Sequence, residues 1–193
     1  MTTRYRLARP DDSAELLAIY TPYITGTTIS FEIAVPTQDE YADRVARTAS
    51  FYPYLIAEND AGICGYAYAS PFHEREGYKY SVSVSVYLRP ECKGKGMGKA
   101  LYRRLFAILP LQGVRLAYAL ITQPNTPSVK LHAACGFSET GLFRNSGYKH
   151  GKWLDVLYME KKIREFDDEP GPLQSIAELP SATIAAILGG DAL

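Results

Sequence analysis

The segment KGKGMGKA, residues 93–100, has the composition of an anion-binding turn. Glycines at alternate positions leave the backbone N–H groups free to close on a phosphate, and the lysines between them supply positive charge. The helix expected to begin here adds the partial positive charge of its N-terminus. The alternative is a flexible basic loop before a helix. The residues concerned are Lys93, Gly94, Lys95, Gly96, Met97, Gly98 and Lys99.

Spacing excludes two nucleotide-binding motifs. A P-loop requires a serine or threonine after its lysine, whereas Ala100 follows Lys99. A dinucleotide fingerprint has the pattern G-x-G-x-x-G, whereas the glycines here follow the pattern G-x-G-x-G. The turn therefore predicts an anion site that belongs to neither nucleotide-binding fold.

The segment SVSVSV, residues 81–86, precedes this turn and alternates strictly between serine and valine. Successive side chains of a strand point to opposite faces, so the valines suit a core, while Ser81, Ser83 and Ser85 share the other face. That serine face either lines a polar cleft that has no titratable group on this strand or faces solvent.

A short helix after Asn125 brings three polar residues together. Asn125 is a candidate N-cap, Pro127 fits the first turn, and Gly136 fits the end of the helix. Asn125, Ser128 and His132 are spaced three and four apart and therefore share one helical face. A lone histidine on a short helix is more often structural than functional, so the residues alone leave the role of His132 open.

Helix and strand signals predict the frame that positions these residues. The pairs Asp12 with Glu15 and Thr37 with Glu40 are candidate capping boxes for two early helices. Apolar runs on both sides of residues 60–62 predict an antiparallel hairpin. The whole order is β α α β β β α β α β β, which predicts an α/β (α+β) fold with a mixed sheet and helices on its faces.

The composition limits the organisation of the chain. A length of 193 residues suits one hydrophobic core, and 21 basic against 21 acidic residues give no overall attraction to nucleic acid or to an anionic membrane. Three cysteines without metal-like spacing and an N-terminus without an apolar leader predict a cytoplasmic protein without a metal site. No stretch approaches the roughly 18 apolar residues of a membrane span. An acidic, proline-containing stretch predicts a boundary between a domain, 1–163, and a tail, 164–193, that is flexible or packed on the domain or a partner subunit.

Several segments together resemble one enzyme family. VYLRPECKGKGMGKAL, followed by NTPSVKLHAACGF, resembles the acetyl-coenzyme A signature of the GNAT N-acetyltransferases, with Lys93 where arginine or glutamine is usual. TTISFEIAVPT, FHEREGYKY and GYKHGKWLDV are similar to the phosphinothricin acetyltransferase branch, so the likeness covers about residues 4–163. The resemblance implies the GNAT fold, in which helices flank a mixed, mostly antiparallel central sheet and a splayed strand pair forms the acetyl-CoA cleft.

The resemblance also implies which residues hold acetyl-CoA, the co-substrate. Backbone groups of Val86, Tyr87 and Leu88 are expected to pair with the pantetheine arm as a further strand would. The turn at residues 93–99 is expected to bind the pyrophosphate. On the helix, Asn125 is expected to bond the pantetheine region with Ser128 beside it. His132 stands where many members of the family place a tyrosine near the thioester sulfur.

The same resemblance draws attention to a missing carboxylate. An α-amine with a pKa of about 8 or above is mostly protonated at neutral pH, so its acetylation calls for a base. The phosphinothricin acetyltransferase branch places a glutamate in the pattern E-x-x-V-Y-V, and alignment on Val86 and Tyr87 puts Ser83 at that position. Proximity of the reactants without a base is one alternative. The other candidates are Glu32, Glu74, His73 and water ordered by the serines.

The acceptor side is expected to recognise an acid. Arg75 and Tyr78 match an arginine and a tyrosine that the branch uses on its acidic substrate, and a guanidinium binds both oxygens of a carboxylate or phosphinate. Lys149 and His150 are further candidate anion contacts, although charges in loops are usually solvated. Phe31 is a candidate substrate contact, although an aromatic residue of this kind more often serves packing.

The predicted activity is acetyl transfer from acetyl-CoA to the α-amine of a small anionic amino-acid-like compound, such as phosphinothricin or methionine sulfoximine or sulfone. The transfer is expected to be direct, in a ternary complex, and the branch implies a homodimer. Two alternatives stay open. One is an acyl-CoA-binding regulatory protein with weak or no catalysis, which Ser83 motivates. The other is an acetyltransferase of proteins or peptides, against which the basic loops argue.

Overall fold

The computed structural model describes residues 2–190, and the strands and helices follow the predicted order with one further helix near the C-terminus. Within that range no helix has both the length and the apolar character that a bilayer crossing requires. The strands are β1 (Arg4–Leu7), β2 (Tyr54–Asn59), β3 (Gly62–Pro71), β4 (Ser81–Leu88), β5 (Leu116–Thr122), β6 (Ser138–Lys149) and β7 (Lys152–Lys162). The helices are α1 (Ser13–Gly26), α2 (Gln38–Ala49), α3 (Met97–Ile108), α4 (Thr126–Ala134) and α5 (Ser181–Gly189).

The strands form one mixed sheet in the order β1-β2-β3-β4-β5-β7-β6, and every neighbouring pair is antiparallel except β4 with β5. These two parallel strands pair only where residues 81–83 face residues 116–118. Beyond that point β4 continues to Leu88 and β5 to Thr122 without pairing with each other. The space between them, here called the interstrand cleft, confirms the predicted splayed strand pair.

The alternation along β4 separates two cores. Val82 and Val84 are buried in the core on the side of α3, as their spacing predicts. Tyr87, on the opposite face, packs against the core on the side of α1 and α2, which is rich in tyrosine. The three serines of β4 are half-buried. The serine face of β4 therefore belongs to the tyrosine-rich side of the sheet.

One of the two predicted capping boxes is confirmed and the other is wrong. The Glu40 N–H donates to Thr37 Oγ1 at 3.2 Å, and the Thr37 N–H donates to Glu40 Oε2 at 2.8 Å, at the start of α2. Asp12 instead accepts two bonds from the guanidinium of Arg6, and Glu15 accepts a bond from the backbone of β3. The Asp12 carboxylate, which was expected to cap α1, is thus hydrogen-bonded to an arginine of β1 instead.

The described chain beyond β7 passes Gln112 and contains α5. The Gln112 side-chain amide donates to the carbonyl of Gln174 at 2.9 Å, which fixes the connecting segment beside α3. Ile184 and Leu188, spaced four apart on α5, are buried in the core with α3. No helix was predicted in this segment, although that spacing is a helical signal.

Candidate active site

The interstrand cleft exposes backbone groups of β4. The Arg89 N–H donates to a carbonyl of β3 at 2.8 Å, so by alternation the backbone groups of Val86 and Leu88 point the other way, toward β5. The Tyr23 hydroxyl engages both groups of Leu88, donating to its carbonyl at 2.6 Å and accepting from its N–H at 3.3 Å. Tyr87 directs its backbone toward β3, and its ring packs on those of Tyr20 and Tyr66. Val86 is therefore the residue whose backbone is placed to pair with an extended ligand.

The turn at residues 93–99 connects β4 to α3. Gly94 and Gly96 have φ angles of +74° and +77°, a region that favours glycine, and Gly96 is the N-cap of α3. The first N–H groups of α3 have no partner within the helix and are available to an anion. Met97 is buried in the core, so its side chain is directed away from the turn. The side chains of the three lysines are exposed: Lys93, Lys95 and Lys99.

His132 lies inside the wall of the cleft and is only 4% exposed. Its Nδ1 is 2.8 Å from the carbonyl oxygen of Ser128, and because a carbonyl only accepts, Nδ1 carries the proton. Nε2 then accepts a bond from the Tyr102 hydroxyl at 3.0 Å. Burial lowers the pKa of His132, which keeps the imidazole neutral. Asn125 caps the same helix through a bond from the Ser128 N–H, so this face of α4 is largely occupied by its own hydrogen bonds.

A second cavity of about 490 Å³, here called the lateral cavity, opens beside the cleft. The loop after α1 supplies Phe31 and Glu32 to its wall, and β7 supplies Tyr158. The lateral cavity and the interstrand cleft have part of their walls in common. The residues that line both are Ile29, Tyr87, Leu120 and Thr122.

Glu32 belongs to a hydrogen-bond network at the edge of the lateral cavity. Its Oε1 accepts a bond from the Tyr20 hydroxyl at 3.1 Å and from Arg44 Nη1 at 2.5 Å. The Tyr20 hydroxyl also lies 2.6 Å from the hydroxyl of Ser30. Lys149, only 3% exposed, donates to the Ser30 carbonyl at 2.6 Å, and burial lowers its pKa. Lys149 thus holds the loop that carries Glu32.

A third cavity, of about 160 Å³, lies between α2 and the sheet and is here called the tyrosine cavity. Tyr20 and Tyr87 line this cavity and the lateral cavity, so the two adjoin. Arg44 is the charged residue of its wall. Arg44 was not predicted, although its position next to Val45 and three residues after Tyr41 places it at the border of the apolar face of α2, which was a usable signal. The remaining lining residues are Tyr41, Val45, Thr48, Tyr54, Tyr66, Tyr68 and Ser70.

Other predicted residues lie elsewhere. Glu74, Arg75 and Tyr78 are exposed on the loop between β3 and β4, and none of them lines the three spaces described above. Tyr78 packs on the ring of His73 with centroids 5.0 Å apart. Ser83 lies in the paired part of β4, opposite residues of β3 and β5, and is likewise absent from these linings. Of the carboxylates predicted as bases, the structure places Glu32 at a cavity.

Comparison with known proteins identifies the family. Residues 5–158 match the family model described as an acetyltransferase (GNAT) domain. The chain belongs to the GNAT acetyltransferase family. Within this family it is similar to phosphinothricin N-acetyltransferase from Streptomyces viridochromogenes, with 34% identity over 90% of this chain and 94% of the relative. It is also similar to the L-methionine sulfoximine/L-methionine sulfone acetyltransferase from Salmonella typhimurium, with 32% identity over 83% of this chain and 94% of the relative.

Solved structures of GNAT acetyltransferases share the fold. A phosphinothricin acetyltransferase from Sinorhizobium meliloti in complex with acetyl-CoA matches with a TM-score of 0.80 and 34% identity, covering 94% of each chain. A Salmonella typhimurium structure with acetyl-CoA as its cofactor matches with a TM-score of 0.83 and 29% identity, covering 88% of this chain and 98% of the other. The protein is accordingly an acetyltransferase with the GNAT fold.

Proposed function

We propose that this GNAT enzyme transfers the acetyl group of acetyl-CoA to the α-amine of a small anionic amino-acid-like compound, of the phosphinothricin or methionine sulfoximine and sulfone type. The observation that carries the proposal is the common wall of the interstrand cleft and the lateral cavity, to which Tyr87 and Leu120 belong. A thioester in the cleft and an amine in the lateral cavity meet at that wall. The transfer is therefore direct, in a ternary complex, and gains rate from proximity. The names of the relatives support this acceptor class.

The residues of the cleft and the turn fit acetyl-CoA, which supplies the acetyl group as a thioester. The Val86 backbone bonds the pantetheine amides in the manner of an added strand. The N–H groups at the start of α3 and the three exposed lysines bind the pyrophosphate. Asn125 and Ser128 line the cleft from α4. His132 and Tyr102, which bond each other, form a neutral part of the cleft wall.

Glu32 is the proposed base. The acceptor arrives as an ammonium ion, and Glu32 takes one proton from its nitrogen. The neutral amine forms the new carbon–nitrogen bond, the carbon–sulfur bond of the thioester breaks, and the second nitrogen proton ends on the coenzyme sulfur. Glu32 lines the lateral cavity, whereas Ser83 leaves β4 without a carboxylate at the expected position. The proposed base therefore lies on the loop after α1 instead of on the strand.

The charges around Glu32 suit an anionic acceptor. Arg44 bonds Glu32 directly, and Lys149 reaches the same network through Ser30. Two cations and one carboxylate leave a net positive charge beside the lateral cavity, which attracts an acid. Arg75 and Tyr78 stay predicted contacts from the neighbouring loop.

We extend the proposal to a homodimer. A Cβ atom at Gly147 of β6 would lie 2.3 Å from the ring of Phe31, which shows that the loop after α1 packs directly on the β6–β7 hairpin. Ile33 of that loop is 72% exposed, and Phe143 and Trp153 of the hairpin are 53% and 65% exposed. Exposed apolar surface of this kind is typical of interfaces. Sedimentation is expected to give a dimer that Ile33→Asp weakens, and a wild-type monomer at micromolar concentration contradicts this.

The test of the activity is a thiol-release assay with acetyl-CoA and a panel of acceptors. The panel contains phosphinothricin, methionine sulfoximine, methionine sulfone, ordinary amino acids and a short peptide. Turnover of one of the first three well above the peptide supports the proposal. If the wild type binds the coenzyme but acetylates nothing, and Ser83→Glu gains activity, the result favours the alternative hypothesis of an acyl-CoA-binding regulatory protein.

A further inference from the structure

Arg44 points to the chemistry of the acceptor's side chain. We infer that the tyrosine cavity receives this side chain and that Arg44 makes the enzyme select a tetrahedral anion at its end, such as a phosphinate, over a neutral group of the same shape. The inference rests on the proposed function, because it orients the acceptor in the site proposed there. It goes further by naming the cavity that receives the side chain and the residue that selects its charge.

The size and walls of the tyrosine cavity fit a short side chain. Its volume of about 160 Å³ is well below the several hundred Å³ of a pocket that holds a whole ligand. Its walls are phenol rings, and those of Tyr54 and Tyr68 stack with centroids 4.7 Å apart. The hydroxyls of Tyr41 and Tyr66 bond each other at 2.8 Å and are thereby satisfied. The rings thus offer apolar contact to methylene groups, while Arg44 offers the positive charge.

The bond between Arg44 and Glu32 can be exchanged for a bond to a ligand. The side chains of the two residues are 46% and 32% exposed. Ion pairs of such exposure contribute little to stability, because water screens them. A phosphinate presents two oxygens to the fork of the guanidinium and forms the stronger, two-point contact. An incoming anion therefore displaces Glu32 from Arg44 at small cost.

The Arg44–Glu32 pair is complementary to an acceptor with an anionic side chain and an ammonium group. When the phosphinate binds Arg44, Glu32 keeps its bond from the Tyr20 hydroxyl and pairs with the ammonium group. Each charge has an opposite partner before and after the exchange, so neither charge is left without a partner. A neutral sulfone leaves Glu32 bound to Arg44. Arg44 thereby couples the charge of the acceptor's side chain to the release of the base.

Phosphinothricin and methionine sulfone form a matched pair of acceptors for the test. Each has a tetrahedral centre that carries a methyl group and two oxygens at the same distance from the α-carbon, and they differ in charge. The measurement is the ratio of kcat/KM for phosphinothricin to kcat/KM for methionine sulfone, taken from thiol release. We expect a wild-type ratio of about 10 or more, from the strength of a two-point contact between ionised groups.

Substitutions on α2 test whether Arg44 is responsible for this ratio of kcat/KM values. Arg44→Gln is expected to lower it to within about threefold of unity, and Arg44→Lys to restore part of it, since lysine keeps the charge but not the fork. Arg47→Gln, an exposed position on the same helix, is the matched control and is expected to leave the ratio unchanged.

The outcomes separate this inference from the proposed function. A wild-type ratio near unity contradicts the inference, as does a wild-type ratio that persists in an active Arg44→Gln enzyme. An equal loss with both acceptors in Arg44→Gln assigns Arg44 a purely structural role and also overturns it. Absence of acetyl transfer to either acceptor by the wild type overturns the proposed function instead.

Discussion

The proposed donor side and the proposed acceptor side of this enzyme are made from different parts of the chain. The donor side is chiefly backbone, contributed by β4, the turn at residues 93–99 and the start of α3, which are consecutive in sequence. The acceptor side is chiefly side chains from separate elements. Its network joins Tyr20 of α1, Glu32 of the following loop and Arg44 of α2, and reaches Lys149 of β6 through Ser30, 119 positions away.

This difference sets how each side responds to substitution. A backbone site depends on local conformation and tolerates most exchanges of side chains. A network of side chains loses its geometry when one member is removed, because the remaining partners are left without a bond. Substitutions on the acceptor side are therefore expected to change turnover without changing coenzyme affinity, and substitutions on the donor side the reverse.

Glu32→Gln is expected to have the largest effect. The amide keeps the shape of the side chain but does not accept the proton of the ammonium group, so kcat is expected to fall about 100-fold or more. The dissociation constant for coenzyme A, measured by calorimetry, is expected to stay at the wild-type value. Glu74→Gln is the matched control, and a larger loss of kcat in Glu74→Gln than in Glu32→Gln contradicts the assignment of the base.

Gly96→Ala tests the donor side and is expected to have an intermediate effect. Gly96 has a φ angle of +77°, and a residue with a Cβ in the left-handed region costs about 1–2 kcal/mol. Coenzyme A should bind about 5- to 30-fold more weakly, while kcat at saturating coenzyme changes little.

The control for Gly96→Ala is Gly171→Ala, at a glycine whose added Cβ atom meets nothing within 4 Å and whose φ is not positive. Wild-type affinity in Gly96→Ala would show that the turn does not hold the coenzyme.

The smallest effect concerns His132. This residue lies on the proposed donor side, and its ring is hydrogen-bonded to Tyr102 and to the Ser128 carbonyl. Burial lowers its pKa below the unfolded value of about 6.5, so the unfolded state binds more protons between the two values. The free energy of unfolding is therefore expected to fall as the pH drops from about 7 through that window. Urea unfolding between pH 5 and 8 measures the slope.

Two histidine variants separate the contribution of His132 from that of other groups. His132→Gln is expected to reduce the dependence of the free energy of unfolding on pH, whereas His73→Gln, at an exposed position, is expected to leave it unchanged. An identical slope in His132→Gln and the wild type rules out the buried neutral imidazole as its source.

The turn, strand and helix of the proposed donor side could be predicted from the sequence because their signals are local. Alternating glycines, the serine and valine alternation and the Asn125 cap each lie within a few residues, and the structure contains the expected turn, strand and helix. The family resemblance supplied the splayed strand pair, which local signals do not encode.

The acceptor side could be predicted only in part. Glu32 was a candidate base, but its bond to Arg44 depends on how α2 packs against the loop after α1. Lys149 was expected to contact an anion, whereas its ammonium group is buried on the Ser30 carbonyl. Such contacts depend on tertiary packing, for which spacing along the chain gives no signal. The packing of Ile184 and Leu188 on α3 is long-range in the same way.

Initial-rate kinetics with both substrates varied tests most directly whether the acetyl group passes straight from the cleft to the lateral cavity. The rates of thiol release are measured at several concentrations of acetyl-CoA and of the best acceptor. The common wall of the two spaces predicts a ternary complex and therefore double-reciprocal lines that intersect. Parallel lines, together with acetylated protein after incubation with acetyl-CoA alone, would show a covalent acetyl-enzyme and contradict direct transfer.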